Sequence, residues 1–308
     1  MTDERRGTLY GVAAYVLWGL FPIYWKLLDF AGADELLAHR VVWCLLVVVL
    51  LLAVQRQWAW LRTVGTDRSA MTRMSLAAAL IGVNWYLYIY GVNSDRVVET
   101  ALGYFINPIV TVLIGVLVLA ERLRPVQWAA IGLGTIAVLV LTIDYGRPPW
   151  IALGLAFTFA FYGLLKKQVG ASVGAVQSLT IETAVLFLPA LGWLLWLGSR
   201  GDLSFGDVGF ADSLLLATTG VATAIPLLFF AAAARRIPLS VIGLLQYLAP
   251  VLQFVTGVFI FDEPMPASRL IGFTLVWGAL LVLTVDSVHH RQRARRRERE
   301  ATMVPIEL

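Results

Sequence analysis

The chain repeats itself. Ala101 to Glu121, ALGYFINPIVTVLIGVLVLAE, has a second copy at Gly243 to Glu263. An offset of 142 residues places Pro108 over Pro250, Gly115 over Gly257, Glu121 over Glu263, Thr142 over Thr284 and Asp144 over Asp286. Coincidences of this kind at one offset mark an internal duplication, so the chain must fold as two related halves.

Composition says where those halves reside. Of 308 residues, 59% are hydrophobic and 14% charged, against roughly 25% charged in a soluble domain. Ten apolar runs can be drawn, at 8–28, 36–54, 74–91, 99–119, 126–143, 150–168, 178–197, 211–233, 238–260 and 268–286. Each is close to the roughly 20 residues a helix needs to cross a hydrocarbon core of about 30 Å. The expected fold is therefore an all-α membrane protein with ten transmembrane helices. A short segment, 1–7, precedes one five-helix repeat at 8–143 and a second at 150–286; a basic tail, 287–308, is expected to be disordered. The first run follows Arg5 and Arg6 but lacks a small-residue cleavage site, so it reads as a retained span.

An odd number of spans per half has a strict consequence: the second half enters the membrane from the opposite side. Inverted repeats of this kind build secondary transporters, because two near-equivalent halves can exchange inward-open and outward-open shapes about a central site. Basic residues give the expected orientation. Of 24 Lys and Arg, 18 fall on the N-terminal segment, the even-numbered connections and the tail, and 6 elsewhere, which predicts both termini in the cytoplasm. On this orientation Glu121 lies at the cytoplasmic face, beside Arg122 and Arg124, and Glu263 at the outer face.

Helical spacing then selects faces. Tyr104, Pro108, Thr111 and Gly115 follow one stripe, and Gln246, Pro250, Gln253 and Gly257 follow its counterpart; Asn107 lies beside the first. Polar side chains in a span are costly against lipid and turn inward. Glycines allow close helix approach, and a proline such as Pro22, Pro108 or Pro250 frees a backbone carbonyl. The stripes are either a packing seam alone or a seam that also lines a cavity. Asn84 and Tyr88 on the third run, Trp18 on the first and Thr158 and Tyr162 on the sixth point inward by the same logic. Tyr24, Trp25, Trp58, Trp60 and Trp150, near span ends, are expected in the interfacial belt.

Few ionisable groups lie within the runs. Lys26, His39, Arg40 and Glu99 are near the outer ends. Arg40 either binds or gates an anionic group together with His39, or pairs with Asp34, Glu35 or Glu99. Glu182, the deepest carboxylate, either neutralises Lys166 or Lys167 or carries a coupling proton. The one cysteine, Cys44, lies in an apolar run, which excludes an intramolecular disulfide and a cysteine metal cluster. No nucleotide-binding loop, ligand cluster or nucleophile triad has suitable spacing, so no enzyme, cofactor or metal is expected.

Five blocks carry a family likeness: YVLWGLFPIYWKLL (15–28), ELLAHRVVW (35–43), NWYLYIYGVN (84–93), ALGYFINPIVTVLIGVLVLAERLRPVQW (101–128) and GLLQYLAPVLQF (243–254). They resemble the RarD-type branch of the EamA family, in the drug/metabolite transporter superfamily. The likeness runs from about residue 7 to residue 286. It implies a ten-helix permease of a bacterial inner or plasma membrane and carries no agreed set of substrate residues. The expected activity is export of a small amphipathic metabolite or drug by alternating access, secondary-active or facilitative. Uptake or exchange of an amino acid or nucleotide-like metabolite, and a non-transporting partner or sensor role, are the alternatives. Expected partners are the lipid bilayer, a small solute, a proton as coupling ion and a second copy in a homodimer, with no role for nucleic acid.

Overall fold

A computed structural model of the chain describes residues 2–56, 58, 68–119, 124–169, 175–238, 241–242 and 245–302. Among these residues there are ten helices and no strand: α1 Asp3–Lys26, α2 Ala33–Gln55, α3 Arg68–Asn93, α4 Val97–Leu119, α5 Pro125–Tyr145, α6 Trp150–Val169, α7 Ala175–Arg200, α8 Phe210–Ala234, α9 Leu248–Phe259 and α10 Ala267–Thr302. Eight are long and apolar enough to cross a membrane, and α6 and α9 are shorter apolar helices. The chain is a multi-pass helical membrane protein of two inverted five-helix repeats. The 142-residue offset, first seen in one pair of runs, also carries the start of α2 onto that of α7 and the start of α3 onto that of α8.

Local chemistry sets the helix ends. Thr2 caps α1 by accepting the Arg5 amide at 3.4 Å. Pro125 opens α5, where its missing N–H costs nothing, and Gly146, at φ 63°, closes it. The ninth run was expected as one span over 238–260, but α9 proper begins only at Leu248. Pro250 has no N–H to offer the carbonyl four residues back, so the helix cannot be extended normally through Gln246. The last helix departs the other way. Residues after Asp286, expected to be disordered, continue α10 as far as Thr302. Arg, Gln, Ala and Glu are good helix formers and no Gly or Pro interrupts them.

The helices gather into two compact units that cut across the repeats. The first holds residues 1–104 and 151–264, the second 105–150 and 265–308, with the boundary inside α4 after Tyr104. In the first unit α2 packs on α7, its counterpart in the other repeat, while α1 packs on α8 and α9. Gly220 of α8 sits against the backbone of Trp43 and Cys44, so close that any Cβ would fall on the Trp43 carbonyl group. Apolar clusters fill the interior around Trp25, Leu28, Leu36, Ile89 and Leu155.

In the second unit, α5 packs against α10. The buried residues of α5 are Ala130, Ile131, Gly134, Ala137 and Leu141. The same offset maps them onto Gly272, Phe273, Val276, Ala279 and Leu283, all buried. Reciprocal ion pairs close both ends. Asp144, near the C-terminus of α5, accepts the Arg269 Nε at 2.9 Å and the Ser268 hydroxyl. Asp286 on α10 lies 2.6 Å from the Arg124 guanidinium at the start of α5, an ion pair without hydrogen-bond alignment. Each helix thus offers an acid, Asp144 near the end of α5 and Asp286 midway along α10, to a base near its partner's beginning. The two helices run antiparallel, as inverted repeats require, and Asp144 and Asp286 are the matched pair that the repeat exposed.

Candidate functional site

The polar side chains of the first unit form four groups. The first joins α3, α4 and α6. Asn84, 1% exposed, donates its amide to the Leu155 carbonyl and the Thr158 hydroxyl, both at 3.0 Å, and its carbonyl accepts the Tyr104 hydroxyl at 3.4 Å. Tyr88 packs edge-on against Tyr104, with centroids 5.9 Å apart, and its buried hydroxyl has no hydrogen-bond partner among the described residues. Four residues expected to face inward, Asn84, Tyr88, Tyr104 and Thr158, do meet here.

Pro22 organises the second group. Its ring nitrogen cannot donate to the Trp18 carbonyl one turn earlier, and that carbonyl instead accepts the Gln253 amide of α9 at 3.1 Å. Trp18 stacks edge-on with Tyr15 at 5.3 Å and tilts on Phe230 at 5.9 Å. Gln253 is buried, and its carbonyl oxygen lacks a partner among the described residues.

The third group surrounds Glu182, 3% exposed, on α7. One carboxylate oxygen accepts from Tyr162 at 3.0 Å and from Lys166 and Ser178 at 2.9 Å. Lys166 is therefore its basic partner, while the Lys167 side chain lies outside the described residues. Tyr162 is committed to this carboxylate and does not join Tyr88 and Tyr104.

The fourth group is Arg40 of α2, 5% exposed. Its Nε donates to the Thr223 hydroxyl of α8 at 3.0 Å. The guanidinium carbon lies 4.1 Å from the Trp85 ring centroid and 5.2 Å from that of Trp25. Trp25, expected in the interfacial belt, is fully buried; it lies near a span end in sequence, but the guanidinium gives its ring a cation to face. The acids expected to pair with Arg40 are engaged elsewhere. Asp34 accepts the Trp193 indole at 2.8 Å. Glu35 accepts the Ser204 amide and hydroxyl at 2.9 Å, and the Phe205 amide at 3.3 Å. Glu99 takes Arg96 and the Ile151 amide at the start of α6. Glu263 likewise receives the Val97 and Val98 amides at the start of α4. A carboxylate at a helix start satisfies orphan N–H groups and suits the helix dipole, so these acids are fasteners.

His39, adjacent to Arg40 in sequence, belongs with the fasteners. Its Nδ1 accepts the Trp43 indole at 3.2 Å, its ring lies against Phe205, and Glu35 is 3.6 Å from Nε2. The two residues do not share a site. Nor does the stripe of Gln246, Pro250, Gln253 and Gly257 survive whole. Gln246 is exposed in the turn before α9, although its amide still donates to the Ile242 carbonyl at 2.9 Å, whereas Pro250, Gln253 and Gly257 are buried. Gly257 packs on Val97 and Val98. On α4, Tyr104 falls in the first unit and Asn107, Pro108, Thr111 and Gly115 in the second. There Thr111 is exposed and turns its hydroxyl back to the Asn107 carbonyl at 2.9 Å. Glu121, Arg122 and Trp60 lie outside the described residues. A cavity of about 470 Å³ is lined by Asp34, Leu37, Val41, Leu186, Pro189 and Trp193 among others, and includes none of Asn84, Trp18, Gln253, Glu182 and Arg40.

Sequence reasoning missed Trp25, Trp85 and Thr223 as the surroundings of Arg40. The available signal was a lone arginine in an apolar run with no acid at helical spacing within it.

Ten apolar helices in two inverted halves, with buried polar groups between helices, define a membrane transporter of the repeat type. The chain belongs to the EamA-like transporter family, whose model matches residues 5–143 and 148–285, one match for each half. Within that family it is of the RarD type. It is 56% identical to Protein RarD of Streptomyces exfoliatus over 96% of this chain and 93% of that one. It is 39% identical to Protein RarD of Escherichia coli (strain K12) over 94% and 98%. A Pseudomonas aeruginosa relative named Chloramphenicol-sensitive protein RarD is 30% identical over 96% and 99%. A solved crystal structure covers 91% of this chain and 97% of its own at a TM-score of 0.58 and 20% identity, a likeness of fold alone.

Proposed function

We propose that this transporter is a secondary-active or facilitative permease of a bacterial inner or plasma membrane, exporting a small amphipathic metabolite or drug by alternating access. The reciprocal Asp144–Arg269 and Asp286–Arg124 pairing carries this reading. It supports a pseudo-two-fold relation between the halves, and such a relation gives two conformations of comparable energy that open to opposite sides. The Asn84, Tyr88 and Tyr104 group and the neighbouring Trp18–Gln253 link are our candidates for the solute site, because they combine aromatic surface with buried hydrogen-bonding atoms. Gln246 is a secondary candidate within the first unit. We assign Glu182 a structural role, since it is already matched by Lys166.

Flux into and out of liposomes holding the purified protein is the test. Saturable movement of an amphipathic solute, reduced by Gln253→Leu without loss of folded protein, is expected. Absence of flux for every solute in an unbiased metabolite panel would defeat the transport mechanism. Orientation is separately accessible. With Cys44 replaced, single cysteines at Arg124 and Pro264 should label from opposite sides with an impermeant maleimide, Arg124 from the cytoplasm.

A further inference from the structure

We propose that Arg40 is the binding site for the carboxylate of a monoanionic solute with an aromatic or apolar body. The inference rests on the permease function above and names the class of solute its central cluster takes.

A guanidinium has five N–H donors in a plane. At Arg40 the Nε–H goes to Thr223, and the four on Nη1 and Nη2 have no partner among the described residues. Trp85 and Trp25 lie against the guanidinium, and contacts to ring faces leave the in-plane donors unspent. No other Lys or Arg is buried among the described residues. A charge this buried is costly unless an opposite charge meets it. Among the described residues none is supplied: Asp34, Glu35, Glu99, Glu182 and Glu263 are each held by the donors described above.

Shape and charge then restrict the ligand. The exposed edge of a planar fork matches the two oxygens of a carboxylate. A single cation offers full compensation to a monoanion and only half to a phosphate dianion. The surroundings favour a flat apolar body: Trp25 and Trp85 are at the guanidinium, and Tyr24, Tyr88 and Tyr104 lie within electrostatic range. Two further donors in this neighbourhood, the Tyr88 hydroxyl and the Trp25 indole N–H, are buried without partners among the described residues.

The test uses the purified full chain in detergent with phenylacetate, indole-3-acetate and octanoate as probes and phenylacetamide as the neutral control. Equilibrium dialysis should give saturable binding of at least one carboxylate, at least tenfold tighter than phenylacetamide. Arg40→Gln should weaken it tenfold or more, and Arg40→Lys, which keeps the charge and loses the fork, by an intermediate factor. Should Arg40→Gln fail to fold, the acid–amide contrast and Arg40→Lys decide. Absence of binding by all three acids, equal binding of acid and amide, or unchanged binding in Arg40→Lys and Arg40→Gln would overturn the assignment. Liposome flux separates the two levels. Arg40-dependent binding without flux keeps the site and removes the permease function; flux of neutral amphipaths that ignores Arg40→Gln does the reverse.

Discussion

Arg40 and Glu182 occupy the same position in the two repeats. Each is the eighth residue of its helix, counted from Ala33 and Ala175, and the two are separated by the repeat offset. Both are nearly fully buried, at 5% and 3% exposure. Their surroundings differ in kind. Glu182 accepts from Tyr162, Lys166 and Ser178 and is complete within its own half. Arg40 has one neutral acceptor and two indole faces, drawn from α1, α3 and α8, and so depends on both halves. Duplication delivered two equivalent buried positions; one became a brace and the other kept its charge unmatched. The lesson is that inverted symmetry of backbone does not carry symmetry of function, and the side of the pair that departs from electrical balance is where a ligand belongs.

Stability and binding should therefore respond oppositely at these two positions. The largest loss is expected from Glu182→Leu, which strands the Tyr162 and Ser178 hydroxyls and the Lys166 ammonium. Breaking a buried pair costs about 3–5 kcal/mol, and the partial exposure of Lys166 lowers our expectation to about 2–3 kcal/mol. Thermal unfolding in detergent measures it, and a loss below about 1 kcal/mol would erase the distinction drawn above. Next comes Arg40→Gln, where carboxylate binding falls tenfold or more while stability is unchanged or rises, because an unmatched buried charge is removed and no partner ion is stranded. A large stability loss with unchanged binding would make Arg40 a brace as well.

Smaller effects sharpen the same contrast in the second unit, where both counterparts are braces. Asp144→Asn should cost about 1 kcal/mol and Asp286→Asn about half of that, since the Arg269 pair is less exposed than the Arg124 pair, 15% and 6% against 35% and 14%. Reversal of this order would count against burial as the controlling variable. Of similar size is the coupling between Lys166→Met and Glu182→Gln in a double-mutant cycle, expected at about 0.5–1 kcal/mol.

Much of the fold was legible because membrane helices leave a plain trace: apolar runs of fixed length, and a repeat that survived at Pro108, Gly115 and Asp144. The α9 boundary was not, since hydropathy registers the apolar residues before Leu248 and is blind to the bond that Pro250 removes. Within the candidate group, helical period put Asn84, Tyr88 and Tyr104 on the inward stripes of two separate helices, and it is the packing of α3 on α4 that brings them into contact. The period failed for Gln246, which is exposed in the turn before α9. For Arg40 the residue was visible and its circumstances were not. Which acids remain available to it depends on where Ser204, Ile151 and Trp193 come to rest, and those contacts join distant parts of the chain.

The bond between the Trp18 carbonyl and the Gln253 amide carries a consequence for inheritance. The acceptor exists only because Pro22 withholds a donor, so each position gives the other its purpose. A lineage that replaced Pro22 would close the α1 backbone on itself and leave an amide in α9 with nothing to hold. Positions 22 and 253, in different halves of a duplicated chain, are thus expected to drift together.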